Sequence, residues 1–210
     1  MESTEEINKN AFFQSKTSDI LDLEELDQVE TTSETPCMSM PSNEAQKARF
    51  RPVIIDGCNI GFLYGRTEDK FRAEGLQIVY EYFKKIGYEN SQIVIIQSHI
   101  SQKYLTENDQ CLMKNLHQIG VLHYCPSRFA GDELIKSDDD LLILKTAYEN
   151  QGIVLSNDQF RQYKSTYPKY YDYVKYKLVQ ANFILNQLSL PDDPLGVNGP
   201  NLEQFLRFDK

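Results

Sequence analysis

Four short runs of consecutive apolar residues punctuate the chain beyond residue 50: PVIID (52–56), QIVIIQ (92–97), GVLHYC (120–125) and GIVLS (152–156). Their length and β-branched content predict strands buried on both faces, as in a parallel sheet. Between them the apolar period becomes helical. Leu76, Val79, Tyr80, Phe83 and Ile86 fall on one face that Gly87 ends, and Leu112, Leu116 and Ile119 on another that Gly120 ends. A third helix is predicted to begin at the SDDD cluster and to end near Asn150 or Gly152. A fourth carries Tyr167, Tyr170, Tyr171, Val174 and Leu178. An edge strand in ANFILNQL (181–188) closes the order βαβαβαβα. Right-handed crossovers then give an α/β fold, a three-layer α/β/α sandwich around a mainly parallel central sheet.

The first 47 residues follow neither pattern. They hold few large apolar side chains and end in a Ser/Thr/Pro-rich stretch, which predicts a disordered tail before a folded domain at 48–210. Within the tail, Ile20, Leu23 and Leu26 or Asp27 recur at helical intervals behind Ser18. That segment reads either as solvated tail or as a short helix that docks on a partner. With 210 residues, 40% of them apolar, the chain can bury a substantial core. No apolar stretch approaches the ~20 residues of a spanning helix. The start, MESTEEINKN, lacks the basic-then-apolar order of a secretory leader. The net charge of −9 is concentrated in the tail, which has eleven acids against three lysines. Residues 48–210 carry twenty acids against nineteen bases, so a nucleic-acid partner stays open. Cys37, Cys58, Cys111 and Cys125 form no CxxC pair and no zinc-finger spacing with the three histidines, which points to reduced thiols and a cytoplasmic or nuclear protein.

Open parallel sheets bind ligands at the carboxyl ends of their strands. The first predicted strand ends in Asp56-Gly57-Cys58-Asn59, the fourth in Ser156-Asn157-Asp158, and the third helix opens with Asp138-Asp139-Asp140. Taken singly, each has a structural explanation as a turn residue or helix cap, Ser137-x-x-Asp140 being one capping arrangement. Together they set three carboxylate groups on one rim, a costly arrangement unless a cation neutralises it. Oxygen-only donors suit Mg²⁺ or Mn²⁺ rather than zinc. No GxGxxG or GxxxxGK[ST] follows the first strand, which disfavours a nucleotide-binding protein. Six of the thirteen tyrosines fall between Tyr163 and Tyr176. Tyr167, Tyr170 and Tyr171 keep helical spacing with Val174 and are expected in the core. Tyr163, Tyr173 and Tyr176 are candidates for stacking on unpaired bases. Cys58 is expected to pack rather than react.

The segments RPVIIDGCNIG, CPSR, DDLLILKTAYENQGIVLSNDQFR and PDDPLGVNGPNLEQFL resemble the NYN/PIN-like ribonuclease domain of the Regnase (MCPIP) family, over roughly residues 50–207. The resemblance implies a PIN-like sandwich that cleaves RNA internally with Mg²⁺ or Mn²⁺ held by Asp56, Asp139, Asp140 and Asp158. Asn59 matches the asparagine of the DGxN element, and Arg161 the basic residue after SND. The implied division of labour gives Asp56, Asp140 and Asp158 to an ion at the scissile phosphate, and Asp139 to a second ion or the attacking water. Asn59 is expected to bond a metal ligand or the phosphate. Arg128, Arg161 and Lys164 are the expected phosphate contacts. The sequence also departs from the family. Gln162 replaces a further acid, the loop after PSR gains Asp132 and Glu133, and no CCCH finger spacing occurs within these residues.

The leading expectation is a metal-dependent endoribonuclease of single-stranded or loop RNA, acting on mRNA in RNA decay or silencing, in the cytoplasm or RNA granules, with the nucleus open. The rival is a catalytically weak NYN adaptor in an RNA-processing complex. A near-neutral domain with an acidified loop should bind RNA weakly. Recruitment by another NYN-domain protein, an RNA-binding protein or a helicase complex is therefore expected, with homo- or heterodimers compatible and no membrane partner.

Overall fold

The computed structural model describes residues 49–130 and 133–208. In chain order the elements are β1 (Val53–Asp56), α1 (Gly57–Tyr64), α2 (Glu74–Lys85), β2 (Ile93–Gln97), α3 (Glu107–Gln118), β3 (Leu122–Tyr124), β4 (Ser127–Ala130) and β5 (Glu133–Lys136). There follow α4 (Asp139–Glu149), β6 (Ile153–Leu155), α5 (Tyr163–Thr166), α6 (Pro168–Val174), β7 (Leu178–Val179), β8 (Asn182–Ile184), β9 (Gln187–Ser189) and α7 (Leu202–Phe205). Five strands form one parallel sheet in the order β3-β2-β1-β6-β7. β1 is central, and all four of its residues are buried.

Alternation along the strands sorts the core into two layers. Val53, Ile55, Ile93 and Ile95 meet Ile60 of α1, Leu76, Val79 and Phe83 of α2, and Met113 and Leu116 of α3. Ile54, Ile96 and Val154 face the other way, onto Ile143, Leu144 and Ala147 of α4 and Val174 of α6. Burying each Ile or Leu of this kind contributes roughly 1.5–3 kcal/mol, which is why continuous apolar runs become the middle layer. Beyond α7 the chain returns to the segment before β1: Arg51 N–H donates to the Leu206 carbonyl at 2.8 Å, and Phe208 N–H to that of Arg49 at 3.0 Å. Among the described residues no helix is long and apolar enough to cross a membrane.

Several local expectations change. The stretch 181–188 is not an edge strand of the main sheet; that place belongs to β7. It forms most of a β8–β9 hairpin, turning at Leu185 and Asn186, whose φ values of 50° and 60° suit a two-residue hairpin loop. Tyr64 of α1 stacks edge-on against Phe183 of that hairpin, their centroids 5.0 Å apart. A second hairpin, β4–β5, occupies what reads in sequence as loop. α1 starts directly after β1, a helix absent from the predicted elements, with Asp56 as its cap. Asp138, not Ser137, caps α4, accepting from Leu141 N–H at 3.1 Å. Ile119 follows the end of α3 and is exposed, while Met113 and Leu116 make the buried face. Leu178 lies in β7, beyond α6, and Tyr167 is exposed instead of core. The segment 18–30, Cys37 and Asp132 lie outside the described residues.

Candidate active site

Asp56 is both the last residue of β1 and the N-cap of α1, so one carboxylate sits at a strand end and a helix start together. Its Oδ1 accepts from Asn59 N–H at 3.0 Å, and its Oδ2 accepts the Ser156 hydroxyl at 2.8 Å. The close fit of α1 to β2 requires Gly57, because a Cβ there would lie 2.5 Å from Gln97 Oε1 and 2.8 Å from the Ile96 carbonyl oxygen. Ser156 also accepts Asp158 N–H on its hydroxyl, at 3.1 Å. Asp158 in turn accepts Phe160 N–H at 3.0 Å, and the buried Phe160 ring anchors this loop in the second core layer.

Asn59, whose backbone N–H bonds the Asp56 carboxylate, also braces the neighbouring loop. Its side-chain oxygen accepts Asn157 N–H at 2.9 Å and ties α1 to the loop after β6. Asn157 then pairs with Ala181, donating to its carbonyl at 2.9 Å and accepting from its N–H at 2.8 Å. Ser156 and Asn157 were not among the expected site residues. The signal that could have found them is their place beside Asp158 at a strand end.

The first turn of α4 supplies Asp139 and Asp140. The Ser98 hydroxyl, just beyond β2, donates to Asp139, and Gln162 Nε2 donates to Asp140 Oδ2 at 3.1 Å. The residue that replaces the family's further acid thus binds one of the remaining four. Tyr163 donates its hydroxyl to Asp138 at 2.6 Å, and its ring packs against the second core layer. Tyr173 also packs there, with its hydroxyl on the Gly152 carbonyl at 2.9 Å, which leaves Tyr176 exposed.

Asp56, Asn59, Asp139, Asp140 and Asp158 line one depression of about 460 Å³, together with Cys58, Phe62, Leu63 and Asn157. Burial raises the Asp56 carboxyl above its ordinary range; the nearby Asp139 and Asp158 raise it further, against the two hydrogen bonds that lower it. Asp140 is pushed up to about 6, first by burial and then by Asp139, Asp56 and Asp158. Asp56 and Asp140 therefore sit in the negative field of the neighbouring acids. Burial, together with Asp56 and Asp139, also raises the Cys58 thiol, whose sulfur accepts from Gln97 Nε2 at 3.1 Å. A thiol held protonated in this way is not a nucleophile at neutral pH. Among the described residues, no three His, Cys, Asp or Glu side chains stand in the close cluster that surrounds a bound ion. Arg128 lies on β4, Arg161 on the loop after β6 and Lys164 on α5; all three are exposed and none lines the depression.

The fold is similar to nuclear protein-only RNase P 2 (PRORP2) of Arabidopsis thaliana, with 22% identity and a TM-score of 0.50 over 67% of this chain. A second crystal structure, of nuclear proteinaceous RNase P 2 from A. thaliana, gives 20% identity and a TM-score of 0.49 over the same share. The chain spans 29% of the length of each. The family model for the Zc3h12a-like ribonuclease NYN domain matches residues 49–204, which includes every acid of the depression. The chain thus belongs to the Zc3h12a-like ribonuclease NYN domain family.

Proposed function

We propose that this protein is a metal-dependent endoribonuclease that hydrolyses unpaired RNA. One observation carries the reading: four carboxylates from three separate segments share one depression, where burial and the neighbouring acids raise the charging cost of Asp56 and Asp140. The donor set fits a hard divalent cation, since every acid offers oxygen and no imidazole lines the depression. Asp56, Asp139, Asp140 and Asp158 would hold Mg²⁺ or Mn²⁺. Such an ion, when bound, generates a water-derived nucleophile near neutral pH and offsets phosphate charge.

The chain's own residues prepare the site. Ser156 fixes the Asp56 carboxylate and the start of the Asp158 loop with a single hydroxyl. Asn59 holds that loop against α1, and Ser98 and Gln162 orient Asp139 and Asp140. The depression is open to solvent and shares Phe62 with one neighbouring depression and Leu63 and Asn157 with another. A strand can lie across it without being threaded from an end, which supports internal cleavage. Arg128, Arg161 and Lys164 stand outside it as more distant phosphate contacts. We place the activity in RNA decay or silencing, on mRNA in the cytoplasm, with recruitment by a protein partner.

One observation favours the adaptor reading: Asp139 and Asp140 each bond a protein donor, and no three acids among the described residues draw into one close cluster. The deciding experiment incubates full-length protein with unstructured RNA and Mn²⁺ or Mg²⁺. Internal cuts ending in 5′-phosphate and 3′-hydroxyl are expected. Asp56→Asn should lower the rate by on the order of 10²–10³-fold or more, the scale of losing one preorganised electrostatic contact. Cyclic 2′,3′-phosphate ends, or undiminished cutting in EDTA, would overturn the mechanism. RNA binding with no cleavage under any divalent ion would leave the adaptor.

A further inference from the structure

Phe62 belongs to two depressions at once. It lines the acidic one, and it also lines a neighbouring pocket of about 530 Å³, within the range of ligand sites. Asn59, Phe62 and Leu63 share a face of α1 at i, i+3 and i+4, so this helix carries the chain's surface from one depression into the next. The neighbouring pocket is walled by Phe71, Ile100 and Leu105 and rimmed by Tyr104, Lys70 and Lys103. Gly61 makes the wall: a Cβ there would stand 2.1 Å from the Phe71 ring, so only bare backbone lets the ring seat against α1. Phe71 in turn meets Phe62 edge-on, centroids 5.7 Å apart, which fixes how Phe62 is presented.

Two rings stay exposed to water, Phe62 at 48% and Tyr104 at 65%. Large exposed aromatics beside an apolar pocket mark an interaction site rather than a core. The charges around them indicate its occupant. Arg72 is already engaged by Glu68 and Asp109, leaving Lys70 and Lys103 against Asp69. Lys103 lies over the Tyr104 ring, 4.8 Å from its centroid, so cation and stacking surface are adjacent. Four carboxylates repel a polyanion, so affinity for RNA has to come from the flanks of the acidic depression. Arg128, Arg161 and Lys164 line neither flank.

We propose that this pocket is a nucleobase subsite: an unpaired base beside the scissile phosphate packs on Phe62 and Tyr104, and Lys70 and Lys103 hold the adjoining phosphate. The proposal rests on the reading of the acidic depression as the place of RNA cleavage, and it assigns the strand's path along α1. Aromatic stacking is tolerant of base identity, so the subsite selects for single-strandedness more than for sequence.

The test measures binding of a fluorescent oligouridylate to full-length protein in EDTA at low salt, separately from cleavage. Tyr104→Ala and Phe62→Ala should each weaken binding by roughly 5- to 100-fold, the scale of one lost base stack. Tyr104→Phe should retain wild-type affinity. The Lys70→Ala/Lys103→Ala pair should flatten the salt dependence by about one to two phosphate contacts. Substrates with a single abasic nucleotide add a second readout. For one position near the cut, the wild type should show a raised KM with little change in kcat, and Tyr104→Ala should no longer distinguish that substrate. Tyr104 is exposed, and Phe62→Leu covers the case in which Phe62→Ala fails to fold. Variants that bind oligouridylate like the wild type and show no abasic effect would overturn the subsite, even in an active nuclease. Binding losses in a protein that cuts no RNA would support the subsite while removing the cleavage reading.

Discussion

Asp56 and Asp158 are held by a net built on one buried hydroxyl, whereas Asp139 and Asp140 each take a single side-chain donor from a half-buried or exposed residue. On the first side, one hydroxyl of Ser156, itself fully buried, bonds the Asp56 carboxylate and the Asp158 N–H, and Asn59 and Asn157 bolt the loop to α1 and to Ala181. On the second side each acid takes one side-chain donor, Ser98 or Gln162, and Gln162 is exposed. Buried hydrogen bonds leave a costly orphan when one partner is removed, while exposed ones are replaced by water. The β1–β6 side is therefore a fixed half of the site, and the α4 side an adjustable half.

The largest effect on stability should come from breaking the fixed half. Ser156→Ala leaves Asp56 Oδ2 without its donor in a buried place and should cost about 1–3 kcal/mol in denaturant unfolding. Ser98→Ala should cost less than about 1 kcal/mol, since the Asp139 carboxylate is partly open to water. Equal losses from both serines would erase the distinction between the halves.

A smaller effect should follow pH. Asp140 ionises at about 6 in the fold instead of 3.8, so folding favours its protonated form. The stability from that acid is complete below about pH 4 and is lost as pH rises through about 6, so metal-free protein should gain less stability from Asp140 at neutral pH. Because the group is half-exposed, the loss is discounted to about 1 kcal/mol. Asp140→Asn should remove it, raising the metal-free Tm near neutrality and flattening the profile between about pH 4 and 7. A steeper profile in the variant would contradict the repulsion among the acids. Saturating Mg²⁺ or Mn²⁺ should raise the wild-type Tm and have less effect on the variant.

The smallest change is expected at Gln162. Gln162→Ala removes an exposed amide from Asp140 and should alter stability by no more than about 0.5 kcal/mol. Its sharper readout is cleavage: a lowered rate with unchanged Tm would show that the amide orients Asp140.

Much of this was written locally. Continuous apolar runs specify buried parallel strands, and the acids that follow them must then share the carboxyl rim of the sheet. Element order placed Asp56, Asp158 and the Asp138–Asp140 cluster on one rim, the family resemblance singled out Asp56, Asp139, Asp140 and Asp158, and these four line one depression. The hairpin at 182–189 was less legible, because its turn depends on left-handed φ at Leu185 and Asn186, a conformation that Leu in particular does not announce.

Tertiary structure alone decided what holds and flanks the acids. Ser156 meets Asp56 across 100 residues, and Asn59 meets Asn157 across 98. No periodicity reports such pairs, since a hydroxyl or amide at a strand end has the same sequence context whether it faces water or a carboxylate 100 positions away. The Phe62–Tyr104 pocket is equally invisible along the chain, because its walls come from three segments that only packing brings together. Sequence determines which residues must be buried and on which edge charge collects. Which polar groups meet there, and where an aromatic surface opens beside them, follows only when the sheet and helices pack.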